Sequence, residues 1–174
     1  MSDKSSEKKK YWGKYRGAVF DNADPEFRGR IIAMVPDVSS LLPTSWALPC
    51  VPMATLQGGT FVVPNVGDAV WIEFEHGDPD YPIWTGGYWS ATTVPVLAKL
   101  APPGTPQIIF QTLLGASLVV SDTPIPPMIG PGVMLLGGPD AYIAVSPDGI
   151  QIFAPSIIIN GMTVINEGAL TVTP

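Results

Sequence analysis

His76 is the only histidine among the 174 residues, and it stands beside Glu75, Asp78 and Asp80. These four form the densest group of acid–base side chains in the sequence. Hydrolysis needs an acid, a base or a nucleophile positioned within hydrogen-bond reach of one another. No Gly-x-Ser-x-Gly nucleophile elbow accompanies them. Glu75, Asp78 and Asp80 match no EF-hand calcium spacing. Turn chemistry explains the group more simply: Gly77 supplies positive φ, Pro79 fixes φ, and Asp78 accepts from nearby amides. Cys50 is the only cysteine, so neither an intramolecular disulfide nor a cysteine zinc site is expected. It reads as a buried structural thiol. The sequence therefore predicts no catalytic residue, metal ligand or cofactor.

Trp71, Tyr81, Trp84, Tyr88 and Trp89 can stack on bases or sugars. The charge argues against bases. The net charge is −6, and no lysine or arginine occurs from residue 100 to 174. A body of that sign does not neutralise phosphates, so nucleic acid is not an expected partner. Core and subunit packing accounts for the aromatics. Charged residues are only 14% against 46% hydrophobic, where about a quarter charged is usual. Apolar surface must be hidden in a core or between subunits.

These residues need strands to hold them. In 69–75, Val70, Ile72 and Phe74 share one face and Ala69, Trp71, Glu73 and Glu75 the other. The turn at 76–80 joins this strand to a second over 81–89, giving a hairpin. Further strands are expected over 15–22, 27–36 and 61–63, with a short edge strand after a proline-rich loop in 41–53. Their number and spacing suggest a small closed barrel such as an OB-fold. The 18 glycines and 20 prolines argue against helices. No apolar run is long enough to cross a membrane as a helix, and 1–10 lacks the apolar core of a signal peptide. Folding and assembly in the cytoplasm are expected.

One ordered set of residues is specific. It comprises Gly17, Asp21, Pro25, Gly29, Pro36, Pro64, Gly67, Trp71, Phe74, Gly77, Asp78, Pro79 and Trp84. With its spacing over 15–89, it resembles the OB domain of the central spike proteins of contractile phage tails and type VI secretion-like injection systems. These residues are turn formers and core aromatics, so the resemblance implies a scaffold. A homotrimer is implied, held by an intertwined β-helix or β-prism. Baseplate hub or tail-tube proteins are implied partners, and the target membrane a transient one. Some spikes carry a lysozyme-like domain with paired carboxylates. Only Asp122, Asp140, Asp148 and Glu167 are acidic after residue 90, so that domain is not expected. The His-x-His iron site of some spike tips has no counterpart here either.

The organisation read from the sequence has four parts. Residues 1–13 are a disordered or hub-contacting tail, 14–90 the OB barrel, 91–106 a linker, and 107–174 a trimeric spike. The last part contains short β-rich runs without a helical period. Its apolar faces and open edges invite partners, which three identical chains would supply. The expected trimer core is Ile150, Ile152, Ile157, Ile159, Met162, Val164, Leu170 and Val172. Residues 167–174 hold no metal ligand set and end in proline, so a separate PAAR-like tip protein is expected to dock there. The rival reading is an OB module binding oligosaccharide or nucleic acid. Together these readings predict a non-enzymatic, envelope-puncturing spike in a virion or injection-particle baseplate.

Overall fold

The computed structural model describes residues 8–161. The chain divides into two compact units, Met1–Thr93 and Val94–Pro174. Apart from two single-turn 3-10 segments, its regular structure is all strand.

The first unit contains β1 (Tyr15–Asp21), β2 (Ile32–Met34), β3 (Leu48–Pro49), β4 (Ala54–Thr55), β5 (Gly58–Gly59), β6 (Ala69–Phe74) and β7 (Pro82–Gly87). Five of them pair in the order β2-β1-β6-β7-β3, while β4 and β5 pair only with each other. The β3–β7 pair is parallel. An antiparallel bridge between Ile31 and Ala47 joins the two ends of the five-stranded sheet. Ala47 N donates to Ile31 O at 2.7 Å, and Ile31 N to Ala47 O at 3.2 Å. The sheet thereby closes into a barrel and has no free lateral edge there.

The barrel core follows the alternation along β6. Val70, Ile72 and Phe74 are buried, whereas Ala69, Trp71 and Glu73 are partly exposed. They pack with Val19, Ile31, Ala33, Val35, Ala47 and Trp84. The strand expected over 27–36 is shorter: only Ile32–Met34 is regular, and Phe27 lies at φ 54°. The strand expected over 61–63 is absent, and the local ladder is made instead by β4 and β5. The strand after the proline-rich loop is β3, which helps close the barrel and is not an edge. Cys50 is exposed, correcting the buried thiol expected. Its amide donates to Trp84 O at 2.9 Å, continuing the β3–β7 pairing.

The second unit is an antiparallel meander of β8 (Gln107–Gln111), β9 (Ser117–Ser121), β10 (Gly132–Leu136), β11 (Tyr142–Ser146) and β12 (Gly149–Phe153). One face is covered by the chain itself. Val119, Met134 and Ala144 are buried together with Ile125, Met128 and Ala101, and Leu97 packs against them. Ile125 and Met128 come from the β9–β10 connection. Ala101 and Leu97 come from the segment expected as a linker, which is tied down by a bond from Gln107 Nε2 to Ala98 O at 3.0 Å. Gly132 permits the close approach of this layer. A Cβ there would lie 2.1 Å from Val145 O and 3.1 Å from Met128 Sδ.

The five described strands pair within one chain. The intertwined pairing expected between chains is therefore not the arrangement of 107–153, because a local meander satisfies these backbone groups without a partner. Ile157 and Ile159 are exposed and lie outside any strand. Met162, Val164, Leu170 and Val172, with the end at 167–174, lie outside the described residues.

Candidate functional site

The second sheet leaves its other face bare. Strand register aligns Ile108, Val120, Val133, Val145 and Ile150 in one row across all five strands. Phe110, Leu118, Leu135, Ile143 and Ile152 form the second row. All ten are exposed, from Leu118 at 36% to Ile150 at 70%. The two rows contain no polar side chain. A contiguous apolar face of this kind marks an association surface. Ile150 and Ile152 were expected in a subunit core, and both lie on it. The other eight were missed, although each run carries the same signal: apolar residues two apart, as at Val133 and Leu135.

The turn after β1 is built around one carboxylate. Asp24 Oδ1 accepts from Glu26 N at 3.0 Å, Arg30 Nε at 3.1 Å and Arg30 Nη2 at 2.6 Å. Its Oδ2 accepts from Arg28 N at 2.8 Å and Arg30 N at 3.2 Å. The Asp24 and Arg30 side chains are nearly buried, and Arg30 also lies over the Trp46 ring. The Arg30 guanidinium, followed by the amides, holds the Asp24 carboxyl well below the usual carboxylate range despite an opposing desolvation effect. This is a structural ion pair in a turn, with no substrate-sized cleft of its own chemistry.

The other sequence-marked residues occupy frame positions. Gly17 is buried in β1. Asp21 Oδ1 accepts from Ala23 N at 2.9 Å. Pro25 lies in the Asp24 turn, and Gly29 O accepts from Trp84 Nε1 at 3.0 Å. Pro36 is exposed just after β2. Pro64 O accepts from Asn22 Nδ2 at 2.8 Å, and Gly67 N donates to Val19 O at 2.9 Å. Trp71 lies on the outer barrel face against Tyr88, their rings 4.8 Å apart, with Arg16 over both. Trp84 is buried and hydrogen-bonded, so it is not a stacking platform.

The turn with His76 has a different occupant from any substrate. Residues 8–14, expected as a loose tail up to 13, lie against it. Lys8 bonds Asp78 at 2.7 Å and also pairs with Asp80; Lys14 bonds Glu73 at 2.7 Å. Lys8 holds the Asp78 carboxyl below its ordinary value. Tyr11 N donates to Gly77 O at 2.8 Å, and the Tyr11 ring packs on Phe74 and Tyr15. Gly77 has φ 71°, and a Cβ there would meet Trp12 at 3.1 Å. His76 itself has φ 50° and makes no hydrogen bond among the described residues that would orient it as a base. Tyr11→Ala should cost roughly 1–3 kcal/mol of barrel stability, through lost ring packing. A lower urea midpoint with an unchanged slope checks it.

Among the described residues, no group of three His, Cys, Asp or Glu side chains is placed to hold a metal ion. No helix there is long and apolar enough to cross a membrane. The chain thus presents a closed barrel, a pinned turn and a bare apolar sheet face. Two family models match it. The type VI secretion system/phage-baseplate injector OB domain covers residues 15–89. The phage baseplate V C-terminal trimerisation domain covers residues 107–171. No curated protein matches. The barrel is accordingly an OB domain and the bare-faced sheet lies in a trimerisation domain. The chain belongs to the phage-baseplate and type VI secretion spike family.

Proposed function

We propose that this protein is the central spike of a contractile injection particle, and that three copies assemble by burying the bare face of the second sheet. The observation that carries this reading is the pair of five-residue apolar rows, uncovered on one face while the opposite face has its own core. Three such sheets facing one axis make a closed, three-sided prism with dry walls. A prism of this kind bears axial load through packed side chains. Sheath contraction then drives it, with the tail tube or hub behind it, through the target envelope. The work is mechanical and involves no bond chemistry. A PAAR-like tip protein docking at 167–174 fits the same reading, as does assembly in the cytoplasm before release in a particle.

The test is the mass of the purified protein. Light scattering after size exclusion should give three times 18.5 kDa. A monomer at micromolar concentration would overturn the proposal. Peptidoglycan turbidity should stay constant on addition of the trimer, and lytic activity that persists through repurification would contradict a purely mechanical role.

A further inference from the structure

The barrel carries a second unpartnered surface. Between Asp37 and Asp68 there is no charged residue at all. Thirty consecutive uncharged residues are unusual on a protein surface, and most of these are on the surface. Leu41, Leu42, Met53, Leu56, Phe61 and Val62 are all exposed, Leu56 at 93%. Within this stretch β4 and β5 form a hairpin, both strands exposed and paired only with each other. The tip is Leu56-Gln57, with Gln57 at φ 58°. An apolar tip on a self-paired hairpin gains nothing in the isolated barrel. At another place the same barrel has an apolar cleft of about 210 Å³, lined by Val35, Val38, Leu42, Pro43, Phe74 and Pro79.

Threefold assembly requires two different surfaces on each copy, since a cyclic contact of that order is heterologous. The barrel offers one projecting and one recessed surface, both apolar. The trimerisation domain in the same chain tethers three barrels together, at an effective concentration of the order of millimolar. A weak apolar contact is then sufficient. We infer that the β4–β5 hairpin of each barrel is a clasp that seats Leu56 in the apolar cleft of the next copy. This rests on the trimer reading above. The occupant is a second copy and not an anionic partner, because the stretch has no cation to recognise one. It is not a lipid bilayer either, because the complementary cleft belongs to the same chain.

The experiment uses the full chain with Cys50→Ser, which removes the only native thiol. Leu56→Cys is added alone, and together with Ser39→Cys beside the cleft. In a trimer verified by light scattering, the Leu56→Cys thiol should react many-fold more slowly than in urea. Mild oxidation of the double variant should give covalent dimers and trimers that neither single variant gives. A verified trimer whose Leu56→Cys thiol reacts as fast as in urea overturns the clasp and leaves the trimer standing. A blocked thiol without specific cross-linking to Ser39→Cys overturns the cleft as its seat. A monomer overturns both readings, and light scattering distinguishes that case from the others.

Discussion

Leu135→Asp should leave the protein monomeric. Leu135 stands in the middle strand of the meander, flanked in its row by Leu118 and Ile143. It is half exposed in the single chain, so a carboxylate there is solvated and the fold survives. In a trimer built on this face, three carboxylates are brought into an apolar interior. Each loses roughly 1.5–3 kcal/mol of apolar burial and adds a desolvation penalty of several kcal/mol. Even a total of roughly 5 kcal/mol weakens association by about four decades. Light scattering should report a single chain, with circular dichroism unchanged, while Leu135→Met should remain assembled. A trimer of unchanged mass in the aspartate variant would show that another surface holds the subunits.

Asp24→Asn should be the most damaging single change in the barrel surface turns. The carboxylate accepts five hydrogen bonds, two from the Arg30 guanidinium and three from backbone amides. The amide variant leaves a buried guanidinium without its counter-ion and turns a donor toward donors. The melting temperature should fall by roughly 10 °C at neutral pH. Acid sensitivity gives the second readout. The Asp24 carboxyl titrates far lower in the folded protein than in the unfolded chain, where its value is about 3.9. Between those two values the unfolded chain binds the extra proton. Stability from this group is therefore complete above about pH 5 and is lost as pH falls through and below 4. The wild-type protein should lose stability steeply on acidification, and Asp24→Asn should lose less over the same range. Asp78, held down by Lys8, adds a slope of the same sign in both proteins. Parallel pH profiles for the two would refute the role assigned to Asp24.

Much of this was legible because period-two alternation survives in short strands. Val70, Ile72 and Phe74 announce the inner face of β6, and Ile150 and Ile152 the bare face of β12. What escaped was set by contacts distant in sequence. Phe61, Val62 and Val63 have strand-forming side chains but find no ladder partner, and propensity alone does not make a strand. Residues 27–30 stay out of β2 because Asp24 takes the amides of Arg28 and Arg30 that a ladder would have used. The ordered position of Tyr11 depends on a carbonyl 66 residues away, at Gly77. Ala101 and Leu97 belong to a core whose sheet begins only at Gln107, so a proline-rich stretch concealed a packing role. Intertwining was inferred from apolar faces, yet such faces require partners only for side chains, and a meander can pair its own backbone.

That meander, with its private core of Val119, Ile125, Met128, Met134 and Ala144, has a kinetic consequence. Its strand pairs join neighbours in sequence, so each sheet can form from local contacts in a newly made chain, ahead of any encounter. Assembly is then a collision between folded subunits, and its rate rises with subunit concentration. Chains made close together in time and place assemble quickly, while a solitary chain carries ten bare apolar residues and two unpaired outer strands, β8 and β12. The interval before the third subunit arrives is when off-pathway aggregation competes with the spike, and synthesis rate becomes a control on yield.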